Sequence, residues 1–175
     1  MATANTFVQI GSTVTVGSSV STISFTSIPA TYTDLVLKVS LRTDRSNAND
    51  SCSIYFNSDT TAANYSFKTI YGDGSSAASN SGTTYIGALA YISAASATAS
   101  VFGNTEFYIP NYAGSTAKSV SVDSVGETNA TADLYNLGAY AWTGTAAITA
   151  ITIVTANGPN FVQYSTASLY GILKY

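Results

Sequence analysis

The strand-forming pattern of this chain is clearest in residues 35–42, which read Leu35-Val36-Leu37-Lys38-Val39-Ser40-Leu41-Arg42. Leucine or valine occupies every odd position, and from Lys38 onward the even positions are polar. Side chains of a β-strand point alternately to the two faces of its sheet, so this period of two predicts a strand with one buried and one solvated face.

Similar patterns recur at short intervals along the rest of the chain. We expect further strands at residues 52–57, 65–71, 84–93, 101–109, 118–125, 132–142, 148–154 and 168–173. Turn-rich segments separate them, including residues 72–82, and residues 94–100 fit either a short helix or a loop. Such spacing predicts an all-β fold, an antiparallel two-sheet sandwich that is jelly-roll-like and has about eight to ten strands.

The length of 175 residues fits one β-sandwich domain covering residues 1–175, and the chain contains no long linker. Glycines at positions 11 and 17 interrupt the first 18 residues. This segment is therefore expected to be either an edge strand or an extended N-terminal arm, and an exchanged arm is a common link between subunits.

The charge composition argues against several classes of function. Charged residues make up 9% of the chain, with a net charge of −3 and no histidine, whereas about 25% is usual in soluble domains. So few basic residues cannot form the basic patch that binding to nucleic acid or to an anionic membrane requires. Without histidine, Ser-His-Asp catalysis and His-ligated metal sites are excluded. We therefore expect a protein that is not an enzyme and that needs no cofactor.

The single cysteine, Cys52, excludes an intramolecular disulfide and is expected to be a small buried strand residue. The first residues show no signal peptide, and no apolar run reaches the roughly 18 residues of a membrane span. These features predict a soluble protein made in a reducing cytoplasm.

Two groups of acidic residues are candidate sites. Residues 44–50 collect oxygen ligands that suit calcium, but they lack the EF-hand spacing and its terminal glutamate, so a solvated hairpin loop is expected and no metal site is predicted. Glu106 and Glu127 could form a glycosidase pair only at a defined separation, which the sequence does not supply. We expect both to be solvated or edge charges.

The aromatic residues are the better candidates for a contact surface. Trp142, Tyr140 and Tyr91 could contact a glycan by stacking on sugar rings, or could pack in a core or subunit interface, which is the expected role. Residues 87–92 are apolar on both faces, so a second sheet and a further partner should cover them. That partner is expected to be another copy of the chain.

Two segments of the sequence resemble a family of tailed-bacteriophage virion proteins. Residues 25–37 match the pattern F-x-x-I-P-x-x-Y-x-D-L-x-L, and residues 165–172 match S-x-A-x-L-Y-G-I. Members of this group are called structural, decoration (cement) or tail-associated proteins. The resemblance implies a virion component and carries no catalytic residues. In physical terms, Pro29 fixes the backbone before a strand, and Gly171 indicates a bulge or a close backbone approach.

The leading hypothesis is a capsid decoration protein, made in the host cytoplasm and located in the virion, that binds the major capsid protein and ties capsomers together. A homotrimer would suit a local three-fold site. The alternative is a tail-fibre or receptor-binding module that recognises a host surface glycan. A hydrolase of surface polysaccharide is the third and weakest hypothesis.

Overall fold

A computed structural model describes residues 6–128, 134–157 and 159–173. These residues form twelve strands and a short 3₁₀-helix at Ala62–Asn64. The strands are β1 (Phe7–Thr15), β2 (Thr22–Phe25), β3 (Asp34–Leu41), β4 (Asn49–Phe56), β5 (Tyr65–Gly72), β6 (Ala77–Gly82), β7 (Ile86–Ser93), β8 (Gly103–Pro110), β9 (Lys118–Gly126), β10 (Leu134–Trp142), β11 (Ile151–Thr155) and β12 (Thr166–Ile172).

The strands form two antiparallel sheets, which confirms the predicted sandwich. The larger sheet has eight strands in the order β1-β12-β3-β8-β9-β10-β5-β6, and the smaller has the order β2-β11-β4-β7. Four pairings are nested in the sequence: β1 with β12, β2 with β11, β3 with β8, and β4 with β7. A long hairpin rolled into two layers gives this jelly-roll-like arrangement. The other four strands extend the larger sheet beyond β8, so the described strands exceed the predicted number.

The core lies between the sheets, and the alternating residues of the 35–42 segment contribute to it. Leu35, Leu37, Val39 and Leu41 are all buried, as their alternation predicts. They belong to one hydrophobic cluster with residues from the smaller sheet, including Ile54 and Ile153.

The two sheets approach each other closely where β7 crosses glycines of the larger sheet. A Cβ atom added to Gly103 would lie 2.6 Å from the Cα of Ile92, and one added to Gly126 would lie 3.2 Å from the Ile92 backbone nitrogen. A Cβ atom does not fit at 2.6 Å, and one at 3.2 Å would push the Ile92 backbone away, so the missing side chains let the two backbones pack closely here.

Three segments clarify or correct the sequence interpretation. Residues 72–82, predicted as a turn, contain β6, because a Ser- and Asn-rich strand exposed on both faces shows no apolar alternation. Residues 7–15 form an edge strand, which was one of the two alternatives for the N-terminal segment. Residues 94–100 form turns and bends rather than a helix. Within the described residues, no helix is long and apolar enough to cross a membrane.

Candidate binding surface

A group of exposed apolar side chains lies on the outer face of the larger sheet, meaning the side that points away from the smaller sheet. Strand register sets one row of side chains across this face. The row comprises Lys38, Glu106, Asp123, Leu137, Ile70 and Ser79, which are successive partners from β3 to β6. It runs from a charged end to an apolar centre and a polar edge.

The apolar centre of this row opens into a groove of about 740 Å³. Leu137 and Ile70 lie in its lining and are 40% and 59% exposed, and Lys68 and residues 79–81 line it as well. Tyr135 lies on the same face, two residues before Leu137 on β10, and is also exposed. The groove therefore combines aliphatic side chains with hydroxyl, amide and ammonium groups.

The charged end of the row is an exposed ion pair. The Lys38 Nζ atom lies 2.8 Å from Glu106 Oε2, and this hydrogen bond raises the pKa of Lys38. Because both side chains are about half exposed, the pair contributes little to stability. The Glu106 carboxylate on the outer face is therefore paired with Lys38.

A neighbouring row on the outer face is aromatic. Tyr170, Val36 and Tyr108 are successive partners on β12, β3 and β8, and the flanking rings leave Val36 only 2% exposed. The Tyr108 hydroxyl donates to Asp34 Oδ2 at 2.8 Å, and this bond raises the pKa of Tyr108. This half of the outer face is covered by its own side chains.

The aromatic residues singled out from the sequence lie elsewhere. Trp142 and Tyr140 are 4% and 3% exposed, and Tyr91 is half-buried. Tyr140 stacks on Phe67 with ring centroids 5.8 Å apart, and Tyr91 meets Tyr71 edge-on. The two buried rings belong to the interior of this chain, so neither offers a face for a sugar ring.

Trp142 joins two sheets through its ring and its nitrogen. Its ring stacks on Tyr65 and meets Phe56 edge-on. Its Nε1 atom donates to Asp59 Oδ2 at 2.8 Å. This bond, with a second from Asn64, lowers the pKa of Asp59. A tryptophan held at both ends in this way fixes the loop after β4 against β10.

The carboxylates of the acidic loop 44–50 are occupied by protein donors. Asp50 is buried, and it accepts bonds from the Thr43 hydroxyl and the Ser51 amide, with Arg45 at 3.6 Å. Asp44 accepts from the backbone and side chain of Asn160. The described residues hold no group of three or more Cys, Asp or Glu side chains placed to bind a metal ion. These loop carboxylates bind other parts of the chain.

Glu106 and Glu127, weighed as a glycosidase pair, have separate partners in the structure. Glu106 pairs with Lys38 on the outer face. The Glu127 carboxylate accepts from the backbone and hydroxyl of Thr98, in the loop between β7 and β8. One glutamate thus belongs to the exposed row, and the other braces a loop.

The two segments that resemble virion proteins meet in the fold. Leu35 pairs with Gly171 across β3 and β12. The ring of Tyr32 covers Gly171, where an added Cβ atom would lie 2.2 Å from Tyr32 Cγ. Asp34 accepts from the Tyr108 hydroxyl and the Asn111 amide. The matching residues therefore build one structural unit. The sequence predicted a bulge or a close backbone approach at Gly171, and the structure shows the side-chain ring of Tyr32 packed against it.

The sequence contained part of the signal for the groove. Alternation along β5 predicted that Lys68 and Ile70 lie on the face opposite Tyr65 and Tyr71. In the structure Tyr65 is buried, Tyr71 is partly buried, and Lys68 and Ile70 are exposed. Leu137 carried no such signal, because only the pairing of β10 with β5 brings it beside Ile70.

Among known proteins, no family model, no curated protein and no solved structure matches this chain.

Proposed function

We propose that this chain is a non-enzymatic virion structural protein of a tailed phage, a capsid decoration protein that binds the outer capsid surface and stabilises contacts between capsomers. The observation that carries the proposal is the unit formed by Tyr32, Asp34 and Gly171. The two separate segments that resemble phage virion proteins are paired strands, and the residues that define both patterns contact each other or their neighbours.

The surface supports a role in binding rather than in chemistry. The outer face of the larger sheet presents Leu137, Ile70 and Tyr135 to solvent, and its charged residues Lys38, Glu106 and Asp123 lie at the other end of the same row. A surface of this kind suits flat contacts that exclude water, with aromatic and aliphatic side chains at their centre. A protein that binds only the assembled shell stabilises that shell by mass action, with no reaction step.

The copy number of the chain in purified particles tests this proposal. Quantitative mass spectrometry would compare it with the major capsid protein of the same particles. We expect the two numbers to be comparable. A copy number far below that of the shell protein would contradict a role in decorating the head and would indicate the tail. Absence from particles would contradict any role in the virion.

The groove supports a second candidate, a tail-associated module that binds a host surface glycan. Its lining combines Ile70 and Leu137 with the ammonium group of Lys68 and the polar side chains of residues 79–81. Sugars present apolar ring faces together with hydroxyl groups, and a few placed polar groups beside apolar ones are typical of ligand sites.

A glycan array probed with the wild-type protein and with Leu137→Ser would test this candidate. Binding should be lost in the variant and kept in Ser24→Ala, a control on the exposed side of the smaller sheet. Glycan binding that survives Leu137→Ser would place the site outside the groove. Wild-type protein that binds no glycan on the array would contradict the candidate.

A further inference from the structure

Four strands form the edges of the two described sheets, and three of these edges are protected against pairing with another chain. The register of β1 against β12 shifts between Ile10 and Val14, and that of β7 against β4 shifts beside Gly87. β2 has four residues. Bulges and short length are recognised devices that keep sheet edges from pairing.

The fourth edge, β6, has none of these devices. It is six residues long, it pairs with β5 without a register shift, and all six residues are exposed. Its sequence, Ala-Ala-Ser-Asn-Ser-Gly, contains no charge and no proline. A regular, uncharged edge strand is a template for a further strand.

The pattern of hydrogen bonds defines which backbone groups of β6 are free to pair. At the turn into β6, the Asp73 amide donates to the Ser76 carbonyl at 3.2 Å, which marks a hydrogen-bonded pair. Such pairs alternate along an antiparallel ladder. Ala77, Ser79 and Ser81 therefore direct their N–H and C=O groups away from β5. The Ser81 amide accordingly does not bond to β5; it donates to the Asn80 side chain at 2.8 Å, a bond that pairing with another strand would replace.

We propose that β6 is a dimerisation edge that pairs antiparallel with β6 of a second copy of this chain. Residues directly opposite in a sheet must point to the same face, and here they must also have outward backbone groups. Both conditions are met when Ser79 lies opposite Ser79 of the second copy and Ala77 lies opposite Ser81. Three such pairs exchange roughly six hydrogen bonds. The larger sheets of the two copies would then form one continuous sheet through the paired β6 strands.

A second copy fits this edge because the edge is complementary to itself. Ala77 and Ser81 are equally spaced about Ser79, so every outward group of one strand meets an outward group of the other. The side chains of β6 are small and uncharged, and no like charges face each other along the pair. The groove beside Ile70 and Leu137 would then continue across the two-fold axis.

Sedimentation equilibrium of wild-type protein, Ser79→Pro and Ser79→Ala over a range of concentrations tests the proposal. We expect a wild-type dimer. Proline removes the central outward N–H, which β5 does not use, and should weaken the dimer at least tenfold. It should not lower the unfolding midpoint of the monomer, measured at a dilution at which the wild type is also monomeric. Alanine keeps the N–H and should keep the dimer. A wild-type monomer at about 100 µM, a trimer, or a dimer unaffected by Ser79→Pro would overturn the proposal.

The register can be tested by crosslinking with introduced cysteines. Cys52 is the chain's single cysteine and is fully buried, so Ser79→Cys would supply the accessible thiol. Under mild oxidation of dilute protein, Ser79→Cys should form a disulfide-linked dimer. Ser81→Cys should not, because its copy lies four residues away, about 13 Å along the strand, whereas a disulfide needs Cα atoms within about 7 Å. Equal crosslinking of both variants would contradict this register.

Discussion

Gly171 shows how a single residue joins two distant parts of the chain. An added Cβ atom would lie 2.2 Å from Tyr32 Cγ, so the tyrosine ring can cover β12 only because the side chain is missing. The sequence predicted a bulge or a close backbone approach at Gly171 and did not identify the Tyr32 ring, since Tyr32 lies in the connection that precedes β3. Only the pairing of β3 with β12 identifies Tyr32.

We expect Gly171→Ala to lower the free energy of unfolding by about 1–3 kcal/mol, because the new methyl group collides with the Tyr32 ring. Urea unfolding at constant temperature measures the change. Gly17→Ala is the matched control, since nothing lies within 4 Å of a Cβ atom there, and it should change stability by less than about 0.5 kcal/mol. The same loss should not occur when Gly171→Ala is introduced into Tyr32→Ala. If the double variant is less stable than Tyr32→Ala by as much as Gly171→Ala is less stable than wild type, the ring is not the cause.

The hydrogen bond from Trp142 to Asp59 links β10 to the loop after β4. Trp142→Phe keeps an aromatic ring but removes the Nε1 donor, and should destabilise the protein by about 2–4 kcal/mol. It should also raise the pKa of Asp59, because that bond is the main cause of its lowered value. NMR titration of the Asp59 carboxyl measures the shift. Tyr135→Phe, at an exposed ring, is the control, and an unchanged Asp59 pKa in Trp142→Phe would contradict the assignment.

At the scale of elements, sequence patterns identified strands that bury one face and missed those that do not. β3 was predicted because its leucines and Val39 face the core. β6 was predicted as a turn because both of its faces are solvated, and only its hydrogen bonds to β5 make it a strand. The edge strand on which our dimer proposal rests therefore could not be predicted from its amino-acid composition.

The loop between β7 and β8 is held by one buried arginine. Arg42 is 8% exposed, and its guanidinium donates to four carbonyl oxygens of the loop, at 2.7–3.2 Å, on Ala95, Ala97, Thr98 and Val101. Lysine has no planar fork and cannot reach all four acceptors. We expect Arg42→Lys to lower the free energy of unfolding by about 1–3 kcal/mol.

Amide hydrogen exchange localises this effect. The amides of Ala94, Ala95 and Ser96 bond to carbonyls of residues 45–48 and should exchange faster in Arg42→Lys, while amides of β3 should change less. Arg45→Lys is the control, because Arg45 is a partly exposed arginine in the same region. Faster exchange spread evenly over both sheets would indicate global destabilisation and would contradict a local anchor.

For the whole molecule, the sparse charge means that packing and neutral hydrogen bonds carry most of the stability. Within the described residues, two ion pairs are formed, and one of them is exposed. The fold class could be predicted because alternation reports burial directly. The groove could not, because Ile70 and Leu137 meet only through the register of β5 against β10, and register depends on long-range pairing.

The buried thiol and phenols predict that the protein loses stability at alkaline pH. Burial raises the pKa of Cys52 from 9.0 to about 12, and it also raises the pKa of Tyr65 and Tyr140. A group with a raised pKa in the folded state stabilises it fully below the unfolded pKa, and this contribution falls as pH rises toward the folded pKa. From Cys52 alone we expect a loss of about 1.4 kcal/mol per pH unit above pH 9. Burial lowers the pKa of Lys118, which has the opposite sign and offsets part of the loss.

Urea unfolding between pH 7 and 10.5 measures this dependence, and Cys52→Ala isolates the thiol. The variant lacks the thiol, so its free energy of unfolding should fall less steeply above pH 9 than that of the wild type. The slopes are compared, because the lost sulfur atom lowers stability at every pH. Parallel curves for the two proteins would show that Cys52 ionises as easily in the folded chain as in the unfolded one, contrary to its complete burial in β4.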